Sequence, residues 1–306
     1  MPASVPNRGI VWTLGLLGLL FVASYLQLFT YFWHRWTEEH GPFGYGYFVP
    51  PSVAFLLWAN RDAIRSAPVT KAPAWAWALT VFAAVVNLVA LVAAVNVLQS
   101  LTFLALVMLV PLCVWGPARY RYLWAALLYT ATMIPWPGQI INVVLFKMQH
   151  LSVVLAAKIF GAMGMNPIIE GATVLLPNFS FDVAPACAGL TILFPTVACT
   201  ILTAMMVNAS LGRRIALVAL SVPVSILTNA GRIMLVGLIG NQGGTELANR
   251  LHDASGFVGV IICVLILSGL GAMIGCGKYH DRYMPAWARE PEDDAADAAK
   301  PQEVTA

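Results

Sequence analysis

Residues 74–98, AWAWALTVFAAVVNLVALVAAVNVL, hold no charged side chain over 25 positions. A helix needs about 20 apolar residues to cross the hydrocarbon core of a bilayer, and strand alternation does not produce such a run. Runs of this kind recur along the 306-residue chain, of which 59% is hydrophobic and only 10% charged. A soluble domain carries about 25% charged residues. The expected fold is therefore all-α, a polytopic integral membrane helical bundle forming one domain over residues 1–276. Residues 277–306, ending in REPEDDAADAAKPQEVTA, read as a cytoplasmic disordered tail.

About eight transmembrane helices are expected, over residues 10–33, 44–60, 74–98, 101–116, 122–137, 186–209, 215–239 and 254–276. The first run is longer than a signal-peptide core and is followed by no small-residue cleavage site, so it reads as a retained span. With a cytoplasmic N-terminus, the inner side receives Arg8, Arg61, Arg65, Lys71, Arg119, Arg121, Arg213, Arg214, Lys278, Arg282, Arg289 and Lys300, twelve of the seventeen Lys and Arg residues. Arg35, Lys147, Lys158, Arg232 and Arg250 fall on or near the outer side. The positive-inside rule selects this orientation. Between the fifth and sixth spans, QIINVVLFKMQHLSVVLAAKIFGAMG (residues 139–164) is long enough to cross, but Lys147 and Lys158 are 11 apart and share a helical face. It reads as an interfacial amphipathic helix on the outer surface. The aromatic-rich GPFGYGYFVP after His40 reads as an interfacial belt, with a substrate entrance as the alternative.

This topology brings polar residues from three spans to one end. Cys187 opens the sixth span, Arg232 lies in the outer half of the seventh, and His252 precedes the eighth. Cys187 to Arg213 and His252 to Lys278 are each 26 residues, or roughly 39 Å of helix, which sets the first two at similar heights. Arg232 comes out about 12 Å deeper, by the same rise, a gap that tilt and side-chain reach can narrow. Asn229, one turn earlier, is placed to support it.

Each residue has an ordinary reading beside a chemical one. Cys187 is a small buried hydrophobe or an employed thiol; Cys113, Cys199, Cys263 and Cys276 all fall within spans or at the inner end, so none offers an evident outer disulfide partner. Arg232 is a snorkelling charge or a functional intramembrane cation, and His252 a solvated loop residue or a proton carrier. Together, Cys, Arg and His are what acyl transfer through a thioester requires: a nucleophile, a cation for the oxyanion and an acid/base. Pro185 suits a first helical turn, where the helix dipole would favour the Cys187 thiolate.

At these residues the chain resembles the exosortase/archaeosortase family of membrane transpeptidases. The resemblance rests on PACAGL, NAGRIMLVG and HDASG, in that order on successive spans, with weaker support from HGPFGYGYFVPPSVAFLLWANRD and MIPWPGQI. It implies that Cys187, Arg232 and His252 form the catalytic set. It also implies substrates that are membrane-anchored proteins with a C-terminal, PEP-CTERM-like sorting signal: a short motif, a transmembrane helix and a basic cluster. The chain departs from many members in having Ala188 where they have Ser. The activity implied is that of a cysteine transpeptidase or protease of the cell membrane, its site on the extracytoplasmic face, passing the protein to a lipid or glycan acceptor or to water.

No cofactor, metal or nucleic-acid partner is expected. The net charge is only +3, and no P-loop, dinucleotide fingerprint, HExxH or GxSxG motif is present. The alternative of a different class is a non-enzymatic transporter or envelope assembly factor, with Arg232 binding an anion and Cys187 merely packed.

Overall fold

In the computed structural model, residues 22–39, 41–177, 179–183, 189–243 and 245–284 are described. Of residues 182, 243, 245, 247 and 249–254 only the backbone is. The helices are α1 (Leu26–Thr37), α2 (Val49–Ala59), α3 (Arg61–Ser66), α4 (Ala74–Val92), α5 (Asn96–Tyr120), α6 (Trp124–Tyr129), α7 (Gly138–Ala162), α8 (Leu190–Met206), α9 (Leu211–Gly243) and α10 (Thr245–Met273). Short strands β1 (Ile168–Glu170), β2 (Thr173–Leu175) and β3 (Ser180–Asp182) form an antiparallel sheet in that order. The helical expectation missed this sheet, because strands of three residues leave no periodicity to read.

Five helices among the described residues are long and apolar enough to cross a membrane: α4, α5, α7, most of α9 and the Ser255–Met273 part of α10. The chain is thus a polytopic helical membrane protein, with five helices of spanning length where eight spans were expected. Part of the shortfall is local. Half of the expected span 10–33 lies outside the described residues. Residues 44–60 divide into a 3-10 turn and the 11-residue α2, and 122–137 into the six-residue α6 and a 3-10 turn over Thr130–Met133. α8 has 17 residues, just short of spanning length.

The outward faces explain why these helices need lipid. In α4 only 22% of the apolar window is buried, and Trp77, Val81, Phe82, Val85 and Leu88 point outward at half exposure or more. A continuous apolar face of this kind is stable only in hydrocarbon or against a partner. The inward faces pack: Tyr25, Phe29 and Phe32 set their rings edge-on to Phe103, in a core that reaches α2, α6 and α8.

One end of the bundle is basic. Arg119 donates to the Ala67 carbonyl at 3.2 and 2.9 Å, and Arg282 to Asn60 at 2.7 Å. Arg214 lies 3.5 Å from His280, and Arg213 covers Gly275. The break that shapes this end is Gly116, at φ 72°, where a Cβ would fall 2.0 Å from the Thr70 carbonyl oxygen. Cations assigned by the charge rule to one side, from Arg61 through Arg282, therefore share an end.

α7 differs from the expected surface-lying helix. Its contacts with α9 climb in step: Ser152 meets Asn229, and eight residues later on both helices Phe160 meets Gly237. A helix that keeps pace with a spanning neighbour ascends beside it rather than lying flat. The stretch from α6 to α7 therefore makes one passage away from the basic end, shared between a short broken segment and a long helix. This sharing keeps Arg119 and Arg214 at one end although 122–137 does not span alone. We expect single cysteines replacing Ser210 and Glu170, in a background without other accessible cysteines, to react with a membrane-impermeant thiol reagent from opposite sides. Labelling of both from one side would contradict this topology.

Candidate functional site

The site is built where α7, α9, α8 and α10 meet away from the basic end. α9 supplies its spine. Asn229 is fully buried, and its Nδ2 donates to the Ser152 hydroxyl of α7 at 3.0 Å. Three residues on, and so one turn along the same face, the half-buried Arg232 donates from Nε to the Ser255 hydroxyl of α10 at 2.7 Å. An intramembrane cation is costly unless held by polar partners, and this charge-assisted bond fixes one edge of the guanidinium.

Cys187 falls in residues 184–188, outside the described residues, but the chain on each side of that segment is tethered here. Before it, Val183 is buried; its amide donates to the Ala172 carbonyl, and its own carbonyl accepts from the Gln149 side chain of α7. After it, Gly189 caps α8 at φ 93°, and a Cβ there would lie 2.9 Å from the Asn229 amide. Only glycine adopts that conformation freely while letting the backbone approach a side chain so closely. Gln149 and Ser152, three apart on α7, thus serve the two tethers through one face. The sheet adds a third hold: Phe179 and Phe181 stack at 5.5 Å and press on Gly240 and Gly237 of α9.

His252 lies in the backbone of α10, three residues before Ser255. The antiparallel register of α9 and α10 sets its height: Leu217 faces Gly271, Thr228 faces Gly259 and Arg232 faces Ser255. Arg232 is therefore about 4.5 Å along the axis from the level of His252, not about 12 Å deeper. The expected depth counted Lys278 as helical, whereas α10 ends at Met273 and the chain then folds back, the Cys276 amide donating to the Gly271 carbonyl. The helix opening expected at Pro185 and Cys187 falls outside the described residues; α8 itself runs from Leu190, with Gly189 before it.

Two apolar cavities flank Arg232. One, of about 390 Å³, is lined by Arg232, Ser255, Thr228 and Ile262 among others. The second, of about 520 Å³, runs from Gly41 and Tyr45 past Thr191 and Pro195 to Gly256 and Val260. Gly256 is common ground: a Cβ there would sit 4.0 Å from the Arg232 guanidinium. The glycine and aromatic stretch after His40 therefore lines a cavity that reaches the site. Gln149, Ser152, Gly189 and Ser255 were missed as site residues in the sequence. Gly189 and Ser255 stand inside PACAGL and HDASG, while nothing in the sequence singled out Gln149 or Ser152.

Polar side chains from four helices, gathered at one level of an apolar bundle around a cation and a doubly tethered segment, define a membrane-embedded protein with a built site. Residues 33–269, more than three quarters of the chain, match the transmembrane exosortase family, and the chain belongs to that family. No curated protein and no solved structure matches it.

Gly189→Ala is expected to lower stability by about 1–3 kcal/mol, the cost of a strained backbone position, and to lower activity with it. Gly161→Ala, in the last turn of α7 with no atom beyond that turn's own backbone within 4 Å of the new Cβ, leaves both unchanged. Thermal unfolding in detergent checks the pair, and equal effects would remove the case for a Gly189 tether.

Proposed function

We propose that this protein is a cysteine transpeptidase that cuts C-terminal sorting signals from membrane-anchored proteins on the extracytoplasmic side of the cell membrane. Membership of the exosortase family carries a membrane transpeptidase-type role. The observation that supports the finer reading is the placement of Arg232. It is fixed by Ser255 one turn from Asn229, the residue on which the chain just after Cys187 rests.

In this reading the Cys187 thiolate attacks the carbonyl carbon of a peptide bond next to the substrate's own membrane helix. Arg232 stabilises the oxyanion as the tetrahedral adduct forms. Collapse of the adduct breaks the C–N bond, and His252 delivers a proton to the departing amine. A thioester remains on Cys187. An amine or hydroxyl of a lipid or glycan acceptor, or water, then gives its proton to His252 and attacks the thioester, releasing the Cys187 thiolate. Ser255 positions Arg232, and Asn229 positions the Cys187 segment through Gly189.

Following a tagged substrate in cells tests the roles separately. Cys187→Ala abolishes processing; processing at the wild-type rate would defeat the nucleophile assignment. Arg232→Lys keeps the charge but loses the planar fork, and lowers turnover about 10²–10³-fold, the range for loss of one oxyanion donor. Undiminished turnover in that variant would leave Arg232 as a generic charge.

A further inference from the structure

At the basic end, between α2, α6, α8 and α9, the bundle carries an open cavity of about 670 Å³. Its wall is apolar, with Ile215, Val218 and Ala219 of α9 facing Ile201 and Met205 of α8. From Leu211 to Ala219 that wall climbs about 12 Å at the rise of a helix, into the level of the spans. Arg121, Arg214 and Arg282 line the same cavity from three segments far apart in sequence. The site on α9 around Arg232 is 18 residues from Arg214, about 27 Å away along the helix.

Concentration of arginines at this end follows from the charge rule, but their convergence on one cavity does not. Arg119 is engaged by the Ala67 carbonyl, Arg61 lies over Trp58 beside Asp62, and Arg213 covers Gly275. Arg121, Arg214 and Arg282 differ from these in lining the cavity. Their partners are neutral: the Tyr122 hydroxyl at 2.7 Å, the Ala209 carbonyl at 3.0 Å and the Asn60 amide oxygen at 2.7 Å. Among the described residues none of the three forms an ion pair; the pairs there are Arg35 with Glu38 and Arg61 with Asp62. Desolvation, then the charges of Arg282 and Arg214, hold the neighbouring His280 imidazole below its ordinary value.

We propose that this cavity binds an anionic phospholipid, its phosphate held among Arg121, Arg214 and Arg282 and an acyl chain laid along the wall of α8 and α9. Guanidinium forks match phosphate oxygens two at a time, and basic pockets between transmembrane helices suit anionic head groups. Tyr122, Trp124 and Tyr283 line the same cavity, amphipathic rings of the kind that sit at head-group level. An apolar wall without the arginines would take any lipid; arginines without the wall would take any phosphate. Bound there, the lipid ties α9 to the end of α2 and to the chain after α10.

The test uses the full chain purified in mild detergent, with native mass spectrometry and thermal unfolding after addition of phosphatidylglycerol, phosphatidylcholine or inorganic phosphate. Phosphatidylglycerol is expected to be retained as a one-to-one adduct and to raise the melting temperature, with phosphatidylcholine and phosphate giving neither effect. Each arginine changed to glutamine lowers retention about fivefold, the worth of one basic side chain at an anionic lipid surface. The combined Arg121→Gln, Arg214→Gln and Arg282→Gln variant should lose the adduct, while Arg213→Gln at the same end keeps it. Arg121→Gln alone, at an exposed position, provides the reading if the combined variant does not fold. Ala219→Trp, which fills the wall, should also lose the lipid while its lipid-free melting temperature stays near wild type. Equal retention of phosphatidylcholine, undiminished retention in the arginine variants, or an equal loss in Arg213→Gln would overturn the proposal. The same stabilisation by phosphate alone would replace the lipid with a free anion.

Discussion

The contact between Asn229 and the backbone of Gly189 is the joint on which the rest of the site depends. Asn229 is wholly buried on the long helix α9, and its amide also reaches Ser152 of α7. An unpaired amide at such a depth costs several kcal/mol, so the residue is stable only while its partners stay in place. Its neighbours are positioned by that requirement: Gly189 by close approach, Arg232 one turn above, and through Arg232 the Ser255 turn of α10. The segment bearing Cys187 leaves a tether at Val183 and returns to this joint.

The apolar envelope makes the arrangement possible. Helices such as α4 present bare hydrocarbon outward, so polar side chains gain only by turning inward and finding one another. They do so at separate levels. Near Arg232 the gathered groups are amides, hydroxyls and one guanidinium; at the other end they are mostly arginines over an apolar cavity. Separation along α9, 18 residues or about 27 Å of helix between Arg214 and Arg232, keeps the candidate site and the basic end apart on one helix.

Much of this was legible in the sequence. The long apolar runs placed α4, α5, α9 and α10 with ends off by up to nine residues, and the Lys and Arg bias placed the basic end. Arg232 was identifiable because an ionisable residue inside an apolar span needs a reason. The misses have physical causes. Helix rise was carried through Lys278, although the chain leaves the helix at Met273. α7 looked interfacial because Lys147 and Lys158 share a face, while the residues that hold it to α9, Ser152 and Phe160, are unremarkable in sequence. Three-residue strands closed by tertiary contacts with Gly237 and Gly240 leave no local pattern at all.

Direct isolation of the acyl-enzyme tests the central claim, that the thiol of Cys187 carries the substrate. Purified protein in nanodiscs would be given a membrane-anchored substrate without acceptor, quenched in acid and digested for mass spectrometry. The account predicts the substrate's N-terminal fragment joined to Cys187 through a bond that hydroxylamine releases. Cleaved substrate with Cys187 unmodified at every time point, or a fragment joined to another residue, would contradict it.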